Sequence, residues 1–214
     1  MQKMKALFYG SEHAPYHPMW EVGRRVQKWL PELEIELTDQ EKELQKLESG
    51  DYAVCFLYAD FEQPPLAGET AAALLAFAAK GGGIFALHGG IAIQNRPELG
   101  QLLGGTFTGH PPYEGLPMVS YKVEDPGHPL TAGVEDFVIP DELYLFDLPK
   151  LEDRSIFLSY EEKGVTYPAG WTRRYGLGRV VYLCCGHNVR AFGEPMFGKL
   201  LENGVMWLTE RGEE

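Results

Sequence analysis

Residues 81–90 read Gly81-Gly82-Gly83-Ile84-Phe85-Ala86-Leu87-His88-Gly89-Gly90. The leading glycines stop a helix, because glycine takes the left-handed conformation that closes a helix C-terminus. The next four residues are all apolar, without the alternation of a half-exposed strand. That is the pattern of a strand covered on both faces in a parallel sheet. The run ends on a histidine followed by two glycines, which sets a titratable ring beside backbone that a ligand can approach closely.

Outward from this stretch the same units repeat. Upstream, Gly68 to Lys80 is an Ala/Leu helix, and Tyr52 to Tyr58 is another continuous apolar strand. Gln40 to Glu48 reads as a charged helix with Leu44 and Leu47 inward, and Ile35 to Leu37 as a short strand. From Pro18 to Leu30 the residues Met19, Val22, Val26, Trp29 and Leu30 recur at helical spacing, with Pro18 at a favourable first position. Lys5 to Gly10 is the first buried strand. Strand and helix alternate three times before the strand at Ile84, which specifies an α/β fold with a mostly parallel, doubly wound sheet. Such sheets bind ligands beyond the C-terminal ends of their strands. Those ends are Gly10 to His17, Tyr58 to Pro65 and His88 to Ala92.

Downstream the character changes. Proline and glycine punctuate short alternating segments such as Met118 to Val123 and Ile156 to Tyr160. Val165 to Thr172 and Arg179 to Cys185 flank residues 173–178 as a hairpin, and Pro195 to Thr209 is a closing amphipathic helix. No repeat or linker divides the chain, so one domain over 1–214 with β-hairpins added late is expected.

The 214 residues hold 19 Lys+Arg against 31 Asp+Glu, a net charge of −12. Non-specific nucleic-acid binding and anionic membrane surfaces both need basic patches, so neither is expected as a partner. The 25 Gly and 15 Pro exceed their ordinary share, and they gather around the histidines. The three cysteines, Cys55, Cys184 and Cys185, sit in apolar runs and make no disulfide framework. With no signal-like leader and no apolar run near the ~18–20 residues of a membrane span, a cytoplasmic, soluble protein is expected.

Of the six histidines, His88 ends the strand at Ile84, and His187 follows the strand Val180 to Cys185 through Gly186. In a parallel sheet these ends share one edge with the segment after the first strand, so His13 or His17 could converge with them. His110 lies in a Gly-His-Pro-Pro loop able to fold over that edge. Imidazoles so placed bind metals or move protons. His128, in Gly-His-Pro, reads instead as a rigid turn whose side chain caps the next segment. Asp141 and Glu142, after Pro140, are the carboxylate candidates for a metal ligand or general base; Glu12 and Asp60 are weaker ones. Trp171 offers a face to a sugar, and Arg173 and Arg174 offer hydroxyl or anion contacts. No glycine-rich phosphate motif is present, so no nucleotide cofactor is expected.

Six stretches in order resemble the trehalose-utilisation (ThuA-like) family: residues 81–89, 107–111, 128–133, 141–144, 171–180 and 186–188. Two details depart from the family pattern, Asn188 in place of Asp and Gly89-Gly90 in place of a small polar pair. The resemblance implies a flavodoxin-like, class I glutamine amidotransferase-like three-layer sandwich. It also implies a role in the metabolism of trehalose or a related keto-disaccharide. At the elbow where amidotransferases carry a cysteine nucleophile stands His88, so glutaminase chemistry is not expected. The site then expected is catalytic His88, His187 and Glu142, with Trp171, Arg173, His110 and His13 as substrate contacts. A divalent metal, Zn or Mn, would sit among His88, His110, Glu142 and His187. The partner is a small sugar, and a homodimer is the expected assembly. The rival readings are a non-catalytic sugar-binding or regulatory protein, and an amidase using Cys184 or Cys185.

Overall fold

A computed structural model describes residues 3–12, 16–59, 66–112, 114–151, 153–187 and 189–210. Its first half follows the expected alternation: β1 (Met4–Gly10), α1 (Met19–Trp29), β2 (Leu33–Thr38), β3 (Tyr52–Tyr58), α2 (Gly68–Ala79) and β4 (Gly83–Leu87). Then come α3 (Pro97–Leu103), β5 (Thr106–Gly109), β6 (Met118–Val123), β7 (Phe137–Pro140), β8 (Leu145–Asp147), β9 (Ser155–Glu162), β10 (Val165–Tyr175), β11 (Gly178–Leu183) and α4 (Pro195–Thr209).

Nine strands form one mixed sheet in the order β2-β1-β3-β4-β11-β10-β9-β6-β7, and β5 pairs with β8 in a separate ribbon. β2, β1, β3, β4 and β11 are mutually parallel, whereas β10, β9, β6 and β7 join antiparallel. The division follows from the sequence. β3 and β4 are apolar at nearly every position and are buried between neighbours on both sides. β2, at the edge, alternates and turns Glu34 and Glu36 outward, which discourages pairing with another chain. α1 turns Met19, Val22 and Val26 to the core. α4 lies so close to β4 that a Cβ on Gly204 would meet the Phe85 ring at 2.5 Å.

Two local readings change, and one segment without an expected element gains structure. Gln40 to Glu48 is a 3₁₀ helix, Glu41–Ser49, rather than an α-helix. Its two inward residues, Leu44 and Leu47, are three apart, the spacing that eclipses in a 3₁₀ turn. The hairpin loop is only Gly176-Leu177, so Arg173 and Arg174 lie in the ladder opposite Val180 and Arg179. Gly176 has φ +59°, and a Cβ there would also strike the backbone of Ala79. Residues 88–95 coil into a 3₁₀ helix directly after β4. No helix among the described residues is long and apolar enough to cross a membrane.

The register brings the C-terminal ends of the parallel strands level: Gly10 pairs with Tyr58, Leu57 with Ala86, and Leu87 with Leu183. The segments leaving β1, β4 and β11 therefore emerge along one edge of the sheet.

Candidate functional site

At that edge the first side chain is His88. β4 ends at Leu87, and His88 turns the chain with φ +40°, a conformation costly for a residue with a Cβ. The turn is tight because the next segment presses on β3: a Cβ at Gly90 would lie 2.0 Å from the Leu57 carbonyl oxygen. The His88 ring is fully buried, and its Nδ1 sits 2.6 Å from the Cys184 carbonyl oxygen. A carbonyl only accepts, so Nδ1 carries the proton and Nε2 presents a lone pair when the ring is neutral.

His187 arrives from β11 through Gly186, whose φ of +121° bends the chain back. Its carbonyl accepts the Tyr58 hydroxyl at 3.0 Å. Asp141 fixes its backbone. One carboxylate oxygen takes the N–H groups of His187 (2.9 Å) and Glu142 (3.0 Å); the other takes the Gly186 N–H (2.9 Å) and the Tyr121 hydroxyl (3.0 Å). Asp141 is completely buried and spends four hydrogen bonds on holding neighbours in place.

Glu142 projects from this anchor. Its Oε2 lies 3.3 Å from His88 Nε2 and 3.2 Å from His187 Nδ1, and those two nitrogens are 3.2 Å apart. His17 completes the group, with its ring centre 5.3 Å from that of His88 and 4.9 Å from that of His187. It too has a left-handed backbone, φ +56°. The four residues are 0–8% exposed, and one ligand atom from each lies within 4.8 Å of the others. Around them Tyr144 lays its ring 4.1 Å from His88, Tyr182 donates its hydroxyl to the His88 carbonyl, and exposed Tyr16 sits 5.5 Å from the His187 ring. Burial pushes the Tyr121, Tyr144 and Tyr182 phenols well up, with Asp141 or Glu142 adding to it, so they stay neutral.

The structure thus brings together His88, Glu142 and His187 of the residues singled out from sequence, with His17, one of the two N-terminal histidines named there as able to converge with them. His13 and Asp60 lie outside the described residues. His110 is exposed, with Nδ1 3.3 Å from the Pro111 carbonyl, and is not in the buried group. Trp171 is wholly buried, donates its indole N–H to the Leu103 carbonyl at 2.8 Å and packs on Phe146 and Tyr182, so it has no open face for a sugar. Arg173 is held by the Gln101 carbonyl and by Asp153, beside Tyr175. Its ladder partner Val180 pairs with Ile84, four residues before His88 and about 13 Å down the strand. Glu12 accepts the Trp20 N–H at the start of α1. His128 caps as expected: its Nδ1 accepts the Leu130 N–H at 3.1 Å. Cys184 and Cys185 are fully buried, and burial with the Asp141 charge pushes their thiols far up, away from thiolate nucleophiles.

Comparison with known proteins agrees with this fold. The chain is similar to a protein described as ThuA-like from Bacteroides uniformis (22% identity, TM-score 0.76, 96% of this chain and 91% of that one). It is also similar to another from Parabacteroides merdae (17%, TM-score 0.77, 97% and 90%). Gan42B, a GH42 β-galactosidase from G. stearothermophilus, contains a similar unit (14%, TM-score 0.64), with 97% of this chain matching 30% of that one. None of the curated proteins matches the chain by sequence. The ThuA family model, described as trehalose utilisation, matches residues 5–208. With nearly its whole length inside that match, the chain belongs to the ThuA family.

Proposed function

We propose that the chain is an enzyme of sugar or keto-sugar metabolism whose His17, His88, Glu142 and His187 hold a divalent metal. One observation carries this reading. With Nδ1 of His88 committed to the Cys184 carbonyl, His88 Nε2 faces Glu142 Oε2 at 3.3 Å as acceptor against acceptor. A proton on His187 Nδ1 relieves its own contacts with both atoms but leaves that one repulsive. A cation, or a shared proton, between them removes the conflict. Ligands around a tetrahedral ion with bonds of about 2.0–2.1 Å stand about 3.3 Å apart, the spacing found among His88 Nε2, Glu142 Oε2 and His187 Nδ1, with a His17 nitrogen within 4.8 Å of them. Three imidazoles and a carboxylate suit Zn, or Mn with more oxygen ligands.

When bound, the metal would polarise a carbonyl or a water. With His88 Nε2, His187 Nδ1 and Glu142 Oε2 facing the ion, the other carboxylate oxygen of Glu142 would be the atom that takes up the proton released, and His187 would serve as a ligand. His88 cannot change tautomer without losing the Cys184 carbonyl, so it serves as a fixed ligand.

The parallel strand order β2-β1-β3-β4-β11 supports a flavodoxin-like, amidotransferase-like reading of the layers. At the elbow, however, stands an imidazole and not a thiol, and the nearby cysteines are buried, which argues against amide hydrolysis. Sugar binding without chemistry would use Trp171 and Arg173, but Trp171 packs in the core and Arg173 is held by the Gln101 carbonyl and Asp153. Three reduced, buried cysteines fit a cytoplasmic protein, and a similar Salmonella typhimurium structure is described as cytoplasmic.

Metal analysis of protein purified without a histidine tag tests the metal: no bound or bindable Zn or Mn in folded protein refutes it. Keto-disaccharide turnover by His88→Ala and His187→Ala tests the chemistry, and unchanged rates exclude both residues.

A further inference from the structure

We infer that the Tyr144 hydroxyl is a binding group of this site, donating a hydrogen bond to an oxygen atom lodged beside His88 and Glu142. The inference rests on the site proposed above. Five tyrosines are fully buried around it. Four satisfy their hydroxyls on protein: Tyr58 on the Gly186 and His187 carbonyls, Tyr121 on Asp141, Tyr160 on the Tyr144 carbonyl, and Tyr182 on the His88 carbonyl. The Tyr144 hydroxyl is buried and has no hydrogen-bond partner among the described residues. A buried hydroxyl left unmade is costly, and native proteins rarely carry one unless a water or ligand supplies the partner.

Its position says where that partner belongs. The Tyr144 ring stands 4.1 Å from His88 and 4.3 Å from Phe107, and only Leu143 separates it in sequence from Glu142. Its backbone is pinned by Tyr160, so the ring does not swing out to reach solvent. A phenol is a neutral donor, which complements the lone pairs of a water, a hydroxide, or a sugar hydroxyl or carbonyl oxygen. These sources share one chemistry, an oxygen acceptor. The residue so acquired is a donor, where the rest of the cluster offers imidazole nitrogens and a carboxylate.

Two measurements test it. A crystal structure of the protein as purified, and a second one soaked in trehalose, should show an oxygen within about 3.2 Å of the Tyr144 hydroxyl. Water in both means a solvent oxygen; replacement by a sugar atom in the second means substrate. A hydroxyl bonded to another protein group, or facing no ordered oxygen in either, overturns the inference. Tyr144→Phe keeps the ring and deletes only the hydroxyl. Its melting temperature without ligand should equal or exceed that of the parent, since no protein hydrogen bond is lost. A lowered one would mean a structural hydroxyl and count against the inference. Where trehalose binds, calorimetry should give roughly tenfold weaker affinity in Tyr144→Phe. Failure of the metal or of turnover would leave the oxygen at Tyr144 in place, so the two readings fall separately.

Discussion

Asp141 holds His187 by its backbone: the carboxylate of one accepts the amide N–H of the other at 2.9 Å. The same oxygen takes the Glu142 N–H, so a single buried group sets the distance between the acid and the imidazole that face each other at the site. The ring and carboxylate are thus placed by a neighbour that holds both through their backbone N–H groups. Asp141→Asn keeps the shape but replaces one acceptor oxygen by an NH2 group that must face two donors. We expect a stability loss of roughly 2–3 kcal/mol in urea unfolding. A 10–100-fold loss of Zn affinity should accompany it, as for other groups that orient metal ligands. Parent-like metal affinity in the folded variant would show that the backbone needs no such anchor.

Metal binding to the native state raises stability by mass action. At free Zn²⁺ one hundred times its dissociation constant the gain is about 2.7 kcal/mol, or roughly 5–10 °C in melting temperature for a chain of this length. A chelator should reverse it. The shift should vanish in His17→Ala and survive in His110→Ala, because His17 lies in the buried group and His110 is exposed outside it. A shift lost in His110→Ala and kept in His17→Ala would reverse the ligand assignment.

Much of this was written in local sequence, and the missing parts share a cause. β3 begins at Tyr52 and ends at Tyr58, and α4 runs from Pro195 to Thr209, where an apolar run and a helical period mark them. His88 and His187 stood out because strand ends and glycines are local signals. That His17 turns inward depends on a backbone twist, φ +56°, that no periodicity encodes. Trp171 looked available for a sugar because alternation identifies two faces but not which is covered. β10 lies inside the sheet, with Trp171 paired to Ile156 on one side and Tyr182 on the other. The division of labour between Asp141 and Glu142 is set by N–H groups 45 and 46 residues away, beyond the reach of spacing.

Gly90 is the residue on which the His88 turn rests. A methyl group there would lie 2.0 Å from the Leu57 carbonyl oxygen, in backbone that cannot move without shifting β3. Gly90→Ala should cost at least about 3 kcal/mol, or leave the protein insoluble. Gly193→Ala is the control: nothing lies within 4 Å of its added Cβ, and the change should stay within about 0.5 kcal/mol. Urea midpoints of the two variants compare them directly. Near-parent stability in Gly90→Ala would mean that the segment after His88 is free to relax.

His128 makes stability depend on pH. Its Nδ1 accepts the Leu130 N–H, so its Nε2–H donates to Thr172 Oγ1 at 2.9 Å, and the bond from Leu130 needs the neutral ring. Burial lowers its pKa below the ordinary 6.5, with the Asp125 charge pulling partly the other way. The unfolded chain therefore binds this proton more readily than the native one. The contribution is complete above about pH 6.5 and is lost as the pH falls from there through the lower native value. His128→Asn keeps a capping oxygen and removes the titration, while giving up the stacking on Phe157, whose ring centre is 5.0 Å away. Above pH 7 the variant should be the less stable protein. Between pH 6.5 and 5 the gap should close, because the parent alone loses stability through this position. Comparing the two proteins cancels the contribution of every other group, since both retain them. Urea midpoints across pH 5 to 8 give the answer, and a gap that stays constant over that range would show that the ring of His128 does not titrate with folding.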